Sequence, residues 1–204
     1  MRPPLPRLHA VTDEHTARRP DLDLIVKQLA TAGPDLALHA RGRSLSGLEH
    51  YELAIRLSAH PPLRLFVNDR LDVALAAGAL GVQLRDDSLP VAEARRLRSD
   101  WWIGRSVHSL LEAQAALASG AGYLVVGPMY PTSTHPDATP LAIDALRAIA
   151  LLGLPVIAIG GVTVDHVAEL RRAGAHGVAA IRALWDAPSP GDAAGAMLAA
   201  LHAT

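Results

Sequence analysis

Strand-like and helix-like stretches alternate along the whole of this chain, and that alternation is what most restricts its fold. Short apolar runs read as strands at residues 7–12 (RLHAVT), 35–41 (DLALHAR), 63–68 (LRLFVN), 81–84 (GVQL), 101–107 (WWIGRSV), 122–126 (GYLVV), 154–159 (LPVIAI) and 177–181 (GVAAI). Between and after them lie stretches with helical apolar spacing, at 22–32, 45–59, 71–77, 90–98, 110–119, 141–151, 164–173 and 193–202. A strand that is apolar throughout is buried on both faces, as in a parallel sheet. Strict alternation makes neighbouring strands parallel, joined by right-handed crossovers. Eight such units in 204 residues predict an α/β protein, a (β/α)8 TIM barrel forming a single domain over residues 1–204. The competing fold, a doubly wound open sheet, usually has fewer strands, and no G-x-G-x-x-G follows the first strand.

The core of this barrel must be aliphatic. Half the residues are hydrophobic, yet the chain holds only three Trp, three Tyr and one Phe. A net charge of −1 offers no field for nucleic acid or an anionic membrane, and no separate helix-turn-helix segment stands out. Without cysteine there are neither disulfides nor thiolate metal sites. No run reaches the roughly 18–20 apolar residues of a membrane span, and the N-terminus lacks the apolar core of a signal peptide. The expected setting is the cytoplasm, and the expected partner is a small molecule rather than nucleic acid or membrane. Homo-oligomerisation is left open.

A barrel builds its active site at the C-terminal ends of its strands. Those ends carry His39 and Arg41, Asn68 and Asp69, Gln83 through Ser88, Arg105 through Ser109, Thr132 through His135, Gly160 and Gly161, and Arg182. Each admits two readings. The glycine pair is a tight turn or a bare-backbone phosphate grip. Asp69 caps the next helix, the reading preferred for it alone, or joins Asp86 or Asp87 around Mg²⁺. Thr132, Ser133 and Thr134 form a plain polar loop or face a phosphate, and Arg182 points outward or sits beside Gly160 as its cation. The ten histidines show no metal spacing supported by a strand or carboxylate, so zinc is discounted.

Eight stretches in order resemble the thiamine phosphate synthase/TenI family of barrels: LHAVTD (8–13), LHARGR (38–43), FVNDRLDVAL (66–75), GVQLRDDSLP (81–90), IGRSVHSLLEA (103–113), GPMYPTSTHP (127–136), PVIAIGGVT (155–163) and GVAAIRAL (177–184). The resemblance implies an enzyme of thiamine biosynthesis acting on a phosphorylated heterocycle, thiazole phosphate. It assigns the thiazole-phosphate grip to Gly160, Gly161, Ile181 and Arg182, with Thr132, Thr134, His39, Asn68 and Ser106 as further binding residues. His108, His135 and Arg41 are the catalytic candidates. The family's synthase couples hydroxymethylpyrimidine diphosphate to thiazole phosphate with Mg²⁺, for which Asp69 and Asp87 are the ligand candidates. The family's second magnesium Asp aligns with Ser88. Its TenI branch includes tautomerases that move a proton on the thiazole without a cofactor, and their histidine aligns with Pro128. The wording of strands one, two and five resembles TenI, so proton transfer is slightly favoured over coupling. A non-catalytic barrel that binds thiazole or thiamine phosphate is the third expectation.

Overall fold

Eight parallel strands close into a barrel in the order β1 to β8, with Leu8 of the first strand in register with Val178 of the last. The computed structural model describes residues 2–132 and 137–203. Its elements are β1 (Leu8–Val11), α1 (Glu14–Ala17), α2 (Leu22–Leu29), a 3₁₀ turn (Ala30–Ala32), β2 (Leu36–Ala40), α3 (Gly47–Ser58), β3 (Arg64–Asn68), α4 (Leu71–Ala76) and β4 (Gly81–Leu84). There follow α5 (Val91–Leu97), β5 (Trp102–Val107), α6 (Leu110–Ala118), β6 (Tyr123–Val126), α7 (Ile143–Ala150), β7 (Val156–Ile159), α8 (Val164–Arg172), β8 (Gly177–Ala180), α9 (Arg182–Trp185) and α10 (Pro190–His202). No helix among the described residues is long and apolar enough to cross a membrane.

Every strand the periodicity predicts is present, trimmed by a residue or two where the ladder ends. Two short helices were not predicted. Both α1 and α9 have four residues, too few to show a 3.6-residue period. The last helix begins at Pro190 rather than 193, with proline in its first turn and Ser189 before it. Local chemistry fixes the other starts. Ser46 and Glu49 form a reciprocal capping box on α3, and Ser109 accepts the Glu112 N–H at the start of α6.

Period-two alternation sorts each strand into an outer and an inner set. Leu8, Leu38, Val67, Val82, Ile103, Leu124, Val156 and Val178 lie in the large core between sheet and helices. Val11, Ala37, Phe66, Tyr123, Val125, Ile157 and Ala179 fill a smaller core that includes the barrel interior. The Phe66 and Tyr123 rings meet edge to face, centroids 5.9 Å apart. Gly104 makes room for them: a Cβ there would lie 2.2 Å from the Tyr123 ring. The aromatic layer closes the N-terminal half of the barrel, so only the C-terminal half can open into a site.

Candidate active site

The C-terminal mouth holds a cavity of about 860 Å³. Its walls differ in character from one side to the other. The half built by β1 to β5 presents His9, His39, Asn68, Gln83 and Ser106. The half built by β6 to β8 presents Val125, Ile157, Ile159, Ala179 and Ile181. The polar groups are inward-facing members of otherwise apolar strands, placed by the same alternation that sorts the core.

On the polar side, buried imidazoles form a chain. His9 Nε2 lies 2.9 Å from the Pro6 carbonyl, His9 Nδ1 lies 2.7 Å from His39 Nε2, and His39 Nδ1 lies 3.1 Å from Asn68 Oδ1. A carbonyl only accepts, so His9 Nε2 carries a proton. Both rings are neutral, and the contact between His9 Nδ1 and His39 Nε2 holds a single ring proton. Burial enforces that neutrality. It lowers His39 to a pKa of about 4, against a favourable bond to Asn68 and with repulsion from Arg41, and it holds His9 well below the usual imidazole range, helped by repulsion from His39. Beside this chain, the Gln83 NH₂ donates to Ser106 Oγ at 2.9 Å.

The buried rings give the fold an acid weakness. The folded pKa of His39 lies below its usual 6.5, so the unfolded chain takes up the proton first. The effect is absent above pH 6.5 and grows as pH falls toward 4, by on the order of 3 kcal/mol for His39 alone. Thermal melts of wild type and His39→Gln across this range should diverge, with the variant losing less stability in acid. Parallel curves would contradict the neutral-ring assignment.

Above the polar half stand three guanidiniums, on Arg41, Arg43 and Arg85. Arg41 is half-buried. Desolvation lowers its pKa first, then repulsion by Arg43, and Arg85 adds to this, while Glu14 and Asp69 oppose it. The loop that carries Arg41 and Arg43 is tied down. Thr12 Oγ1 lies 2.8 Å from the Arg41 N–H and 2.7 Å from its carbonyl, and Glu14 accepts the N–H groups of Arg43 and Ser44. Like charges gathered at a partly desolvated mouth favour an anion between them.

Asp69 does not cap the helix that follows it. Its φ of +62° turns it away from α4, whose cap position is Arg70, and Arg70 pairs instead with Asp72. Asp69 Oδ1 accepts the Arg85 N–H at 3.1 Å and the Ser88 hydroxyl, and Oδ2 accepts Arg85 Nε–H at 2.9 Å. Asp87 lies outside the cavity wall, exposed, 3.4 Å from Arg85 Nη2. Among the described residues no three His, Asp or Glu side chains gather as a metal site.

The apolar half has its own polar edge. Gly160 and Gly161 follow β7 with φ of +97° and +63°, and Gly160 to Thr163 line the cavity. The segment after β6 lies against them: Tyr130 N–H donates to the Gly160 carbonyl at 3.0 Å, and a Cβ on Gly161 would meet the Pro131 carbonyl oxygen at 2.5 Å. Ile181 and Arg182 line the same edge, where α9 begins directly after β8. Loops after strands seven and eight, with a short extra helix, are where barrels of this architecture commonly hold phosphate.

Of the predicted site residues, His39, Arg41, Asn68, Ser106, His108, Thr132, Gly160, Gly161, Ile181 and Arg182 all line this one cavity. His108 stands at the rim, exposed, with Nδ1 2.5 Å from the Gly127 carbonyl, which fixes the proton on Nδ1. Thr134 and His135 lie outside the described residues. Sequence reasoning missed His9 as a wall residue; Gln83 and Arg85, named at the end of strand four without a role, and Arg43 also line the cavity. For His9 the signal was available, a polar residue at an inward position of a short apolar strand.

A family model described as thiamine monophosphate synthase matches residues 8–184. The chain is 39% identical over 183 residues to a thiamine-phosphate synthase of Chloroflexus aurantiacus, covering 87% of this chain and 84% of that one. It is 42% identical over 205 residues to a thiamine-phosphate synthase of Salinispora arenicola, covering 97% and 98%. Among solved structures it superposes on a thiamine phosphate pyrophosphorylase from Pyrococcus furiosus with a TM-score of 0.83, 31% identity, and coverage of 96% and 95%.

Proposed function

We propose that this chain, which belongs to the thiamine monophosphate synthase family, is a thiamine-phosphate synthase that couples hydroxymethylpyrimidine diphosphate to thiazole phosphate. The observation that carries this reading is the division of the cavity. A polar half under three arginines and an apolar half beside a glycine corner suit two different phosphorylated heterocycles side by side. Proton transfer on one heterocycle would need only one of these halves.

The pyrimidine fits the polar half, where the Asn68 amide and Ser106 hydroxyl face its ring nitrogens and amino group. Its diphosphate lies among Arg41, Arg43 and Arg85. The thiazole, with its sulfur and methyl group, packs on Val125, Ile157 and Ala179. Its phosphate meets Gly160, Gly161, Thr132 and Arg182. The methylene C–O bond breaks and the diphosphate leaves with the electron pair, stabilised by the arginines. The thiazole nitrogen gives its lone pair to the resulting cation, the C–N bond forms, and the products are thiamine phosphate and diphosphate. Preorganised cations at the departing charge lower the barrier because they need no rearrangement during the step. Closeness of the two rings converts an encounter into an intramolecular event.

The synthase reading implies Mg²⁺, and the residues present do not fit it. Both Asp69 oxygens already accept hydrogen bonds, a guanidinium stands 2.9 Å from one of them, Asp87 is turned to solvent, and Asp86, exposed at the cavity wall, belongs to no group of three His, Asp or Glu side chains among the described residues. No step here passes through a metal.

The preference for proton transfer suggested by the sequence is corrected. The relatives named above are synthases, and the tautomerase's histidine position holds Pro128, which has no proton to exchange. Incubating the protein with both substrates and resolving the products by chromatography tests the reading. Thiamine phosphate and diphosphate should appear in equal amounts. Change confined to a carboxylated thiazole phosphate would restore the tautomerase.

A further inference from the structure

We propose that Arg85 takes the place of a divalent ion in this site, so that diphosphate is bound and released without a protein-held metal. The inference rests on the coupling reading for its substrate, and on the Asp69 cluster for its evidence. Asp69 is the carboxylate that the resemblance assigns to magnesium, and it is paired with Arg85, which lines the cavity. It is engaged on both oxygens: Oδ1 by the Arg85 N–H and the Ser88 hydroxyl, Oδ2 by Arg85 Nε–H. The second magnesium position of the resemblance is Ser88, a neutral group that here donates to Asp69 and accepts the Arg85 N–H at 2.9 Å. One carboxylate with a bound cation has little left for Mg²⁺, which prefers carboxylates together with substrate phosphates.

The same bonds that close the metal position aim the arginine. With Nε held by Asp69, the Arg85 fork is fixed in plane, and the residue lines the cavity together with Arg41 and Arg43. Asp87, 3.4 Å from Nη2 and exposed, is a partner that an incoming diphosphate can displace. A fork of two N–H groups matches adjacent phosphate oxygens in a way a point charge does not. Asp69 is then a positioning residue and Arg85 the group that touches the leaving diphosphate.

Calorimetric titration of the whole protein with inorganic diphosphate tests this, once in EDTA and once in excess Mg²⁺. Binding should occur in EDTA and change by no more than about threefold with Mg²⁺, while Arg85→Gln should weaken it in EDTA by about tenfold or more. Asp69→Asn should raise KM for the pyrimidine diphosphate more than it lowers kcat, because it frees the arginine without removing it. The double replacement Arg85→Gly with Ser88→Asp should reverse the behaviour, losing binding in EDTA and regaining it with Mg²⁺. Wild-type binding that appears only with Mg²⁺ would overturn the proposal, whatever the variants do. Two results separate it from the coupling reading. Metal-free binding without thiamine phosphate formation would remove coupling alone, and product formed only with Mg²⁺ would remove this inference alone.

Discussion

Replacing Gly161 with valine should raise the KM for thiazole phosphate by about a hundredfold or more in a protein that still folds, since misplacing a bound group by about 1 Å costs that much. Two constraints meet at this residue. Its φ of +63° lies where a β-branched side chain is strained. Its missing Cβ is the space occupied by the Pro131 carbonyl oxygen at 2.5 Å and the Tyr130 Cβ at 2.8 Å. A side chain would displace the segment after β6, which also carries Thr132 into the cavity. The strain, about 1–3 kcal/mol, is small beside the 5–15 kcal/mol of a typical domain. Circular dichroism should therefore report a folded chain with a lowered Tm. An unchanged KM would put the thiazole phosphate elsewhere.

Replacing Arg41 with alanine should lower kcat/KM for the pyrimidine diphosphate by about a thousandfold, roughly 4 kcal/mol of transition-state stabilisation. Arg41 is the half-buried member of the arginine group, so its charge is less screened than that of exposed Arg43. Thr12 holds its backbone at 2.7 and 2.8 Å, which keeps the guanidinium in place before substrate arrives. Lysine should recover only part of the loss, because one ammonium cannot bridge two phosphate oxygens. Affinity for thiazole phosphate should move by less than about threefold, since well-separated sites behave additively. A loss under about tenfold would remove Arg41 from the departing charge.

The fold was legible because a barrel repeats one rule eight times. Apolar runs of strand length, such as YLVV and VIAI, carry the burial signal in composition alone. The glycine corner was legible for the same reason: Gly160 and Gly161 end an uninterrupted run, and the structure adds why, since the Pro128–Pro131 segment leaves no room for side chains. Elements of one turn, α1 and α9, escaped because four residues display no period. The wall residue His9 escaped because attention to strand ends overlooks inward positions one turn of the pleat below. The role of Asp69 was out of reach. Its partner Arg85 is sixteen positions away, and the pairing depends on a positive φ that nothing in the letters N-D-R announces. Preference between the two chemistries also misled, since the TenI-like wording of strands one, two and five lies partly in positions that pack rather than react, such as Leu8, Leu38 and Ile103.

The central claim is that one cavity holds two anions at once, each on its own edge. Its most direct measurement is a crossed calorimetric titration, thiazole phosphate into protein saturated with inorganic diphosphate, repeated in Gly161→Val and Arg41→Ala. Both ligands should bind wild type together, one to one, with Gly161→Val losing the first and keeping the second, and Arg41→Ala the reverse. Mutual exclusion of the two ligands in wild type, or one substitution abolishing both, would contradict it.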